Sequence, residues 1–254
     1  GFVRHIFTAI KDIKPSHVAI CWDMGQATFR NDMYTSYKQN RPAPPDELIP
    51  QFDYVKDISE QFGFVNIGVA NYEADDVIGT LAKIYSKDNE VHIVTGDRDI
   101  LQCINEQVEV WLIRKGFNIY HHYTLNRFNE EYALHPLQLI DIKAFMGDSA
   151  DGYPGVKGIG EKTAIKLIQS YGSVENVLDN IESLTPNQQK KIAIDKENLI
   201  LSKQLAKIYT DVPIDTTALY EEMKYIHSLN HILSICNEHE LYVSGKYLAS
   251  KILM

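Results

Sequence analysis

The sequence is poor in cysteine: Cys21, Cys103 and Cys236 are odd in number and widely spaced along 254 residues. This argues against a disulfide-built scaffold and for a reducing, cytoplasmic setting, with the three as small core residues. No apolar run approaches the roughly 18 residues needed to span a bilayer, and the opening residues lack the small-residue cleavage site of a signal peptide. Repeats and low-complexity tracts are also missing. There is no excess of positive charge, since 25 Lys and Arg stand against 34 Asp and Glu, a net of −9. Taken alone, that balance argues against a nucleic-acid partner, because phosphate binding normally leaves a basic footprint.

What is present is a soluble globular composition, 44% hydrophobic and 23% charged, long enough for one large domain or a main domain with a satellite. Three short apolar runs, His17 to Trp22, Phe64 to Val69 and Val91 to Thr95, read as buried strands. Helical periods separate them, over Asp46 to Phe62 and Ala74 to Tyr85. Strand and helix in alternation predict an α/β fold with a mostly parallel central sheet. Val108 to Ile113 adds a strand before a hairpin expected around Lys115 and Gly116. Helical patterns follow over Leu137 to Phe145, Thr163 to Ser170, Asn198 to Tyr209 and His227 to Cys236. The division expected is an α/β core over 1–150 and a helical subdomain over 151–254.

Acids gather where the strands end. The first strand runs into Asp23, the second into Glu73, Asp75 and Asp76, and the third into Asp97 and Asp99. Asp148 and Asp151 form a further pair in a glycine-bounded loop. In open parallel sheets, function collects beyond the carboxyl ends of the strands. Eight like charges at one edge repel, and divalent cations are the simplest neutralising partner; ligation by oxygen alone favours Mg²⁺ or Mn²⁺ over Zn²⁺. Of the −9, these eight residues carry −8, leaving −1 on the rest, so the objection to nucleic acid falls away. Plainer accounts exist for each: Asp75 and Asp76 suit a helix start, Asp148 and Asp151 suit turns, and the others suit solvated loops. The joint placement is the signal.

Residues 28–45 carry Arg30, Lys38 and Arg41 against Asp32, a local charge of +2, with Phe29, Tyr34 and Tyr37 interleaved. The mixture fits phosphate contact and base stacking, and equally a solvated loop whose aromatics pack underneath. Gly155, Gly158 and Gly160 form a tight turn that opens a helix, with Lys157, Lys162 and Lys166 close by. Such a turn presents backbone N–H groups to an anion. A competing metal site, His227, His231, Cys236 and His239, has donor types that suit zinc. A polar helix face with a core cysteine explains it more simply, and His121 with His122 earns less.

The segments NYEADDVIGTLA, VTGDRDILQ, KAFMGDSADGYPGVKGIGEKTA and FRNDMYTSYKQNRPAPP resemble, in order and spacing, the 5′ nuclease or flap endonuclease family in its bacterial form. That form includes the nuclease domain of DNA polymerase I and its stand-alone paralogues, and the resemblance covers about residues 2 to 215. It implies a sheet flanked by helices, a helical arch over about 24–62, and a helix-three-turn-helix module that grips duplex DNA.

By the same resemblance, Asp23, Glu73, Asp75 and Asp76 help hold one metal ion, and Asp97, Asp99, Asp148 and Asp151 surround a second. Lys38 and Arg30 act at the scissile phosphate, with Arg41 nearby. Gly155, Lys157, Gly158, Gly160 and Lys162 bind the duplex, with K⁺ at the hairpin. The implied cofactors are two Mg²⁺ ions, for which Mn²⁺ substitutes. The implied partner is DNA with a 5′ flap or junction, met by a monomer in the bacterial cytoplasm and nucleoid, with no membrane involved.

The family's first metal-binding aspartate lies on a strand ahead of the helix that opens this chain. An upstream strand carrying one more aspartate is therefore expected, and with it a stand-alone form, since little family signal follows about Asp215. The alternatives are a noncatalytic binder of branched DNA lacking a complete first metal site, and an RNase of the PIN type, which needs neither hairpin nor arch.

Overall fold

The computed structural model describes residues 1–25, 27–114, 119–226 and 228–251. The expected turn at Lys115 and Gly116, and His227 of the competing metal site, lie outside them. Among the described residues five strands are formed: β1 (Ala19–Cys21), β2 (Val65–Ile67), β3 (Val91–Thr95), β4 (Val108–Ile113) and β5 (Tyr120–Tyr123). The helices of the first half are α1 (Phe2–Ile13), α2 (Phe29–Met33), α3 (Ile49–Gln61), α4 (Ala74–Tyr85) and α5 (Leu125–Tyr132). Those of the second half are α6 (Gln138–Met146), α7 (Glu161–Tyr171), α8 (Val174–Asp179), α9 (Pro186–Ile194), α10 (Lys196–Ala206), α11 (Leu219–Glu222), α12 (Leu229–Glu238) and α13 (Tyr242–Lys251).

The alternation expected from the sequence is present, but the parallel sheet is recorded as two pieces. One joins β1 and β2 in parallel; the other pairs β3 with β4 in parallel and β4 with β5 antiparallel. The first strand is shorter than its apolar run because the amide of Val18 bonds to the carbonyl of Met223 at 2.8 Å, so a returning segment replaces the neighbouring strand there.

The largest core cluster takes Ile93, Val108 and Val110 from the strands together with Phe145, Ile168 and Leu199 from the helices of the second half. A second cluster sets Phe7 of α1 and Phe62 and Phe64 around α3 against Ile232 and Cys236 of α12 and Leu248 of α13. The last helices thus pack back on the first. Burying such side chains contributes about 1.5–3 kcal/mol each, which holds the two halves, and the acids they carry, in a fixed relation. Among the described residues no helix is long and apolar enough to cross a membrane.

Candidate active site

The N-terminal end of α4 explains why acids converge there. Its first turn is acidic, which its unpaired amides favour. The amide of Ala74 donates to an Asp23 carboxylate oxygen at 2.7 Å, and that of Glu73 to Asp76 Oδ2 at 3.1 Å. Asp23 is exposed at the rim, joining the end of β1 to the start of α4. Asp97 follows β3, accepts from the Asp99 amide at 2.9 Å, and donates its own amide to Thr95 Oγ1 at 3.0 Å. The loop after α6 folds on itself, with the amides of Ala150 and Asp151 both donating to Asp148 Oδ1.

Glu73, Asp75, Asp97, Asp99 and Asp151 line one small cavity with Arg30, Tyr37 and Lys38. Asp99, Asp148 and Asp151 each offer an oxygen, all within 4.8 Å of one another, and are the group of that kind among the described residues. Crowding and burial shift these carboxyls. Burial, reinforced by Asp97 and Glu73 and opposed by Lys38, pushes the Asp75 carboxyl up to about 7. Burial also raises Asp99, against the pull of Lys143. At Asp148 burial acts in the same direction but loses to Lys143 and two backbone amides, which hold its carboxyl below the usual range.

Positive side chains answer these acids. Lys38 Nζ meets Glu73 Oε1 at 2.6 Å, Arg41 pairs with Asp151, and Lys143 bridges Asp99 and Asp148, the latter at 2.6 Å. Lys38 sits at φ +57°, uncommon for a side chain with a Cβ, and its amide donates to the Asp151 carbonyl at 2.8 Å. The basic segment is therefore pinned to the acidic loop. Tyr37 beside it is buried, with its hydroxyl donating to Asp151 at 3.2 Å and Glu73 at 3.3 Å. One aromatic packs underneath while the neighbouring lysine faces the acids, so both readings of this segment describe part of it.

Three sequence expectations need correction. Arg30 is only 2% exposed, and Asp76 is fully buried. The Arg30 guanidinium donates to both Asp76 oxygens, at 2.7 and 2.8 Å, and to the carbonyls of Leu205 and Lys207. Asp76 also accepts from the Tyr209 amide at 2.8 Å. Their hydrogen-bonding capacity is spent on each other and on the backbone, so Asp76 is not an open metal ligand and Arg30 does not reach out to a phosphate. Gly155 is corrected for a similar reason. At φ +61° it lies buried where an added Cβ would stand 2.2 Å from the Gly147 nitrogen, and its amide donates to Ser202 Oγ at 3.0 Å. It lets two backbones cross rather than facing a ligand.

Lys157, Gly158 and Gly160 are exposed, while Val156 and Ile159 anchor the hairpin in the core. Gly158 takes φ +80° and its carbonyl accepts from Lys191 Nζ at 2.9 Å, while a Cβ on Gly160 would meet nothing within 4 Å. Lys157 and Lys162 are exposed there, although the Lys157 amide is held by Asp195 at 2.9 Å. Gly160 starts α7 without a side-chain cap, leaving first-turn amides facing solvent.

At the competing metal site Cys236 is wholly buried in the core, and His231 and His239 hydrogen-bond to Gln61. That is the plainer account. His122 stacks on Trp111 at 3.6 Å and His121 pairs with Arg114. Sequence reading missed Lys143 and Tyr153. The latter's hydroxyl is buried with no hydrogen-bond partner among the described residues, in the field of Asp99, Asp148 and Asp151. An oxygen-only donor set with an orphaned hydroxyl beside it fits a hydrated divalent cation. The signal for Lys143 was its place one helical turn before the acidic loop.

Carboxylates at the ends of parallel strands, answered by basic side chains and joined to a helix-borne glycine turn, define a nuclease of the metal-dependent class. The 5′-3′ exonuclease N-terminal resolvase-like domain matches residues 1–133, and the 5′-3′ exonuclease C-terminal SAM fold matches 134–228. The chain belongs to the 5′-3′ exonuclease family. It is 50% identical over 217 residues to a 5′-3′ exonuclease of Bacillus subtilis, a match covering 85% of this chain and 73% of that protein. It is 44% identical to DNA polymerase I of Lactococcus lactis, covering 85% of this chain but 25% of the polymerase. In fold it is similar to the T5 D15 protein co-crystallized with metal ions, with a TM-score of 0.71 at 21% identity, covering 100% of this chain and 92% of that one. The catalytic core of Rad2 in complex with DNA substrate has a TM-score of 0.61 at 16% identity, over 98% and 83% of the two chains.

Proposed function

We propose that this 5′-3′ exonuclease-family protein is a structure-selective 5′ nuclease that hydrolyses DNA phosphodiesters at junctions of single strand and duplex, using two divalent metal ions. The observation that carries this reading is the meeting of Asp99, Asp148 and Asp151 within 4.8 Å, beside a cavity lined by Glu73, Asp75 and Asp97. Asp23, Glu73 and Asp75 would hold one ion and Asp97, Asp99, Asp148 and Asp151 the other, with Mg²⁺ the natural occupant and Mn²⁺ a substitute. When bound, such ions activate water and stabilise the attacking and leaving oxygens of an in-line displacement.

The chain's own residues do the rest. Lys38 and Arg41, now paired to Glu73 and Asp151, would offset charge on the phosphate, leaving those partners free to hold cations. Tyr37 holds Glu73 and Asp151 in register. The turn from Lys157 to Gly160, with Lys162, grips the duplex arm through backbone and charge without reading base edges. A K⁺ ion, if bound, would be held at this turn. The protein is proposed to act as a monomer, with the nuclease core in residues 1–150, joined by Asp151 at the boundary, and the duplex grip in 151–254.

Cleavage of a labelled 5′ flap, with and without Mg²⁺, tests the reading: cation-dependent release of a 5′ fragment is expected. Binding to the flap with no cleavage in either Mg²⁺ or Mn²⁺ would favour the noncatalytic alternative.

A further inference from the structure

The turn proposed to grip the duplex is held from behind by residues far along the chain. Its anchors, Val156 and Ile159, sink into the main core together with Ile192 of α9 and Leu199 of α10. Between those anchors Lys157 and Gly158 stand exposed, and polar groups of the same two helices hold their backbone. Asp195, the residue that ends α9 and begins α10, accepts from the Lys157 amide through Oδ2 at 2.9 Å. Its other oxygen accepts from the Asn198 side chain at 3.2 Å, which fixes the carboxylate. Lys191, one helical turn earlier, donates to the Gly158 carbonyl at 2.9 Å. Ser202, two helical turns after Asp195 and on the same face, takes the Gly155 amide at 3.0 Å.

Charge alone does not account for an acid in this place. A carboxylate beside a turn that meets phosphate repels the DNA, so by electrostatics Asp195 weakens binding. What it supplies is order. Gly158, at φ +80°, gives the turn many conformations in the absence of contacts, and whatever freedom remains must be lost when the duplex arrives, at the expense of affinity. We propose that Asp195 is a positioning residue of the duplex grip: by holding the Lys157 amide it keeps the turn in the shape that meets the DNA backbone. It does so as a hydrogen-bond acceptor rather than as a charge, acting through Lys157 and Gly158 and touching no phosphate itself. This rests on the duplex-grip reading above.

The experiment compares the full chain with its Asp195→Ala and Asp195→Asn variants, binding a short blunt duplex and a single strand of the same length, by fluorescence anisotropy in EDTA. Alanine removes both the charge and the acceptor; asparagine removes the charge and keeps an acceptor oxygen for the Lys157 amide. Asp195→Ala is expected to weaken duplex binding about tenfold, the opposite sign to that expected from losing an acid, with single-strand binding unchanged. Asp195→Asn should bind the duplex at least as tightly as the wild type, since the turn is still held and a repelling charge is gone. Asp195→Ser keeps an oxygen at the start of α10 but is too short to reach the Lys157 amide, and it replaces Asp195→Ala if that variant melts early. Duplex binding by the alanine and serine variants equal to or tighter than that of the wild type overturns the proposal. So does a loss in Asp195→Asn as large as in Asp195→Ala, since the acceptor would then not be what matters. A wild type that fails to bind the duplex would instead overturn the duplex-grip reading itself.

Discussion

The guanidinium of Arg30 spans both carboxylate oxygens of Asp76, at 2.7 and 2.8 Å, across 46 residues of sequence and wholly inside the protein. The pair ties α2 to the first turn of α4 and, through the carbonyls of Leu205 and Lys207, to the end of α10. The start of α4, with Glu73 and Asp75 beside Asp76, is thereby fixed to the helical half. Removing one member of a buried pair leaves an uncompensated charge, so Arg30→Ala should destabilise the fold by about 3–5 kcal/mol. Urea denaturation measures this, and a loss below about 1 kcal/mol would show that the pair does not brace the site.

Asp75 should behave oppositely. Its carboxyl is raised from 3.8 to about 7, first by burial and then by Asp97 and Glu73. The folded protein without metal therefore holds a proton that the unfolded chain releases near pH 4. Stability is lost as pH rises from about 4 through 7, and the deficit persists above. Asp75→Asn should raise the melting temperature in EDTA at pH 8, by on the order of 5 °C, and have little effect near pH 4. Calorimetry at the two pH values checks both sign and window.

Lys38 pairs with Glu73 and stands over the cavity that the acids line. Lys38→Ala should lower single-turnover cleavage by about 10²–10³-fold while changing duplex affinity little, because backbone grip is spread over other residues. Equal losses in rate and affinity would make Lys38 a docking residue instead.

At the hairpin, Gly160 has an extended backbone and open space where a side chain would go. Gly160→Leu should therefore fold normally yet weaken duplex binding about equally for all sequences, by keeping phosphates away from the amides of α7. Gly158→Leu should also reduce stability, since its φ is +80° and the Lys191 side chain lies within 3.2 Å of the added Cβ. Fluorescence anisotropy with two unrelated duplexes separates the effects.

The pattern of strands and acids was legible in the sequence because it is local. The α4 helix runs over the residues its apolar period marked, and β3 and β4 over their apolar runs. Charge placed after a strand is likewise visible in one dimension. Pairing across the fold is not. Arg30 counted as part of a basic segment, yet its partner lies 46 residues on; Asp76 counted with its acidic neighbours, yet it points inward. Lys143 and Tyr153 drew no notice because a lysine on a helix and a tyrosine in a loop are ordinary until the chain returns Asp99 to them. The resemblance to known nucleases singled out the acids as a candidate metal-binding set, and only the three-dimensional contacts separated open members from spent ones.

Asp99, Asp148 and Asp151 are expected to hold a divalent cation that cleavage requires. The most direct test titrates Mn²⁺ into wild type and Asp148→Asn by electron paramagnetic resonance, and follows flap cleavage in the same samples. Asp148→Asn should lose one bound Mn²⁺ and at least about 100-fold in rate, with duplex binding retained. An Asp148→Asn protein that binds Mn²⁺ and cleaves as the wild type does would contradict that expectation.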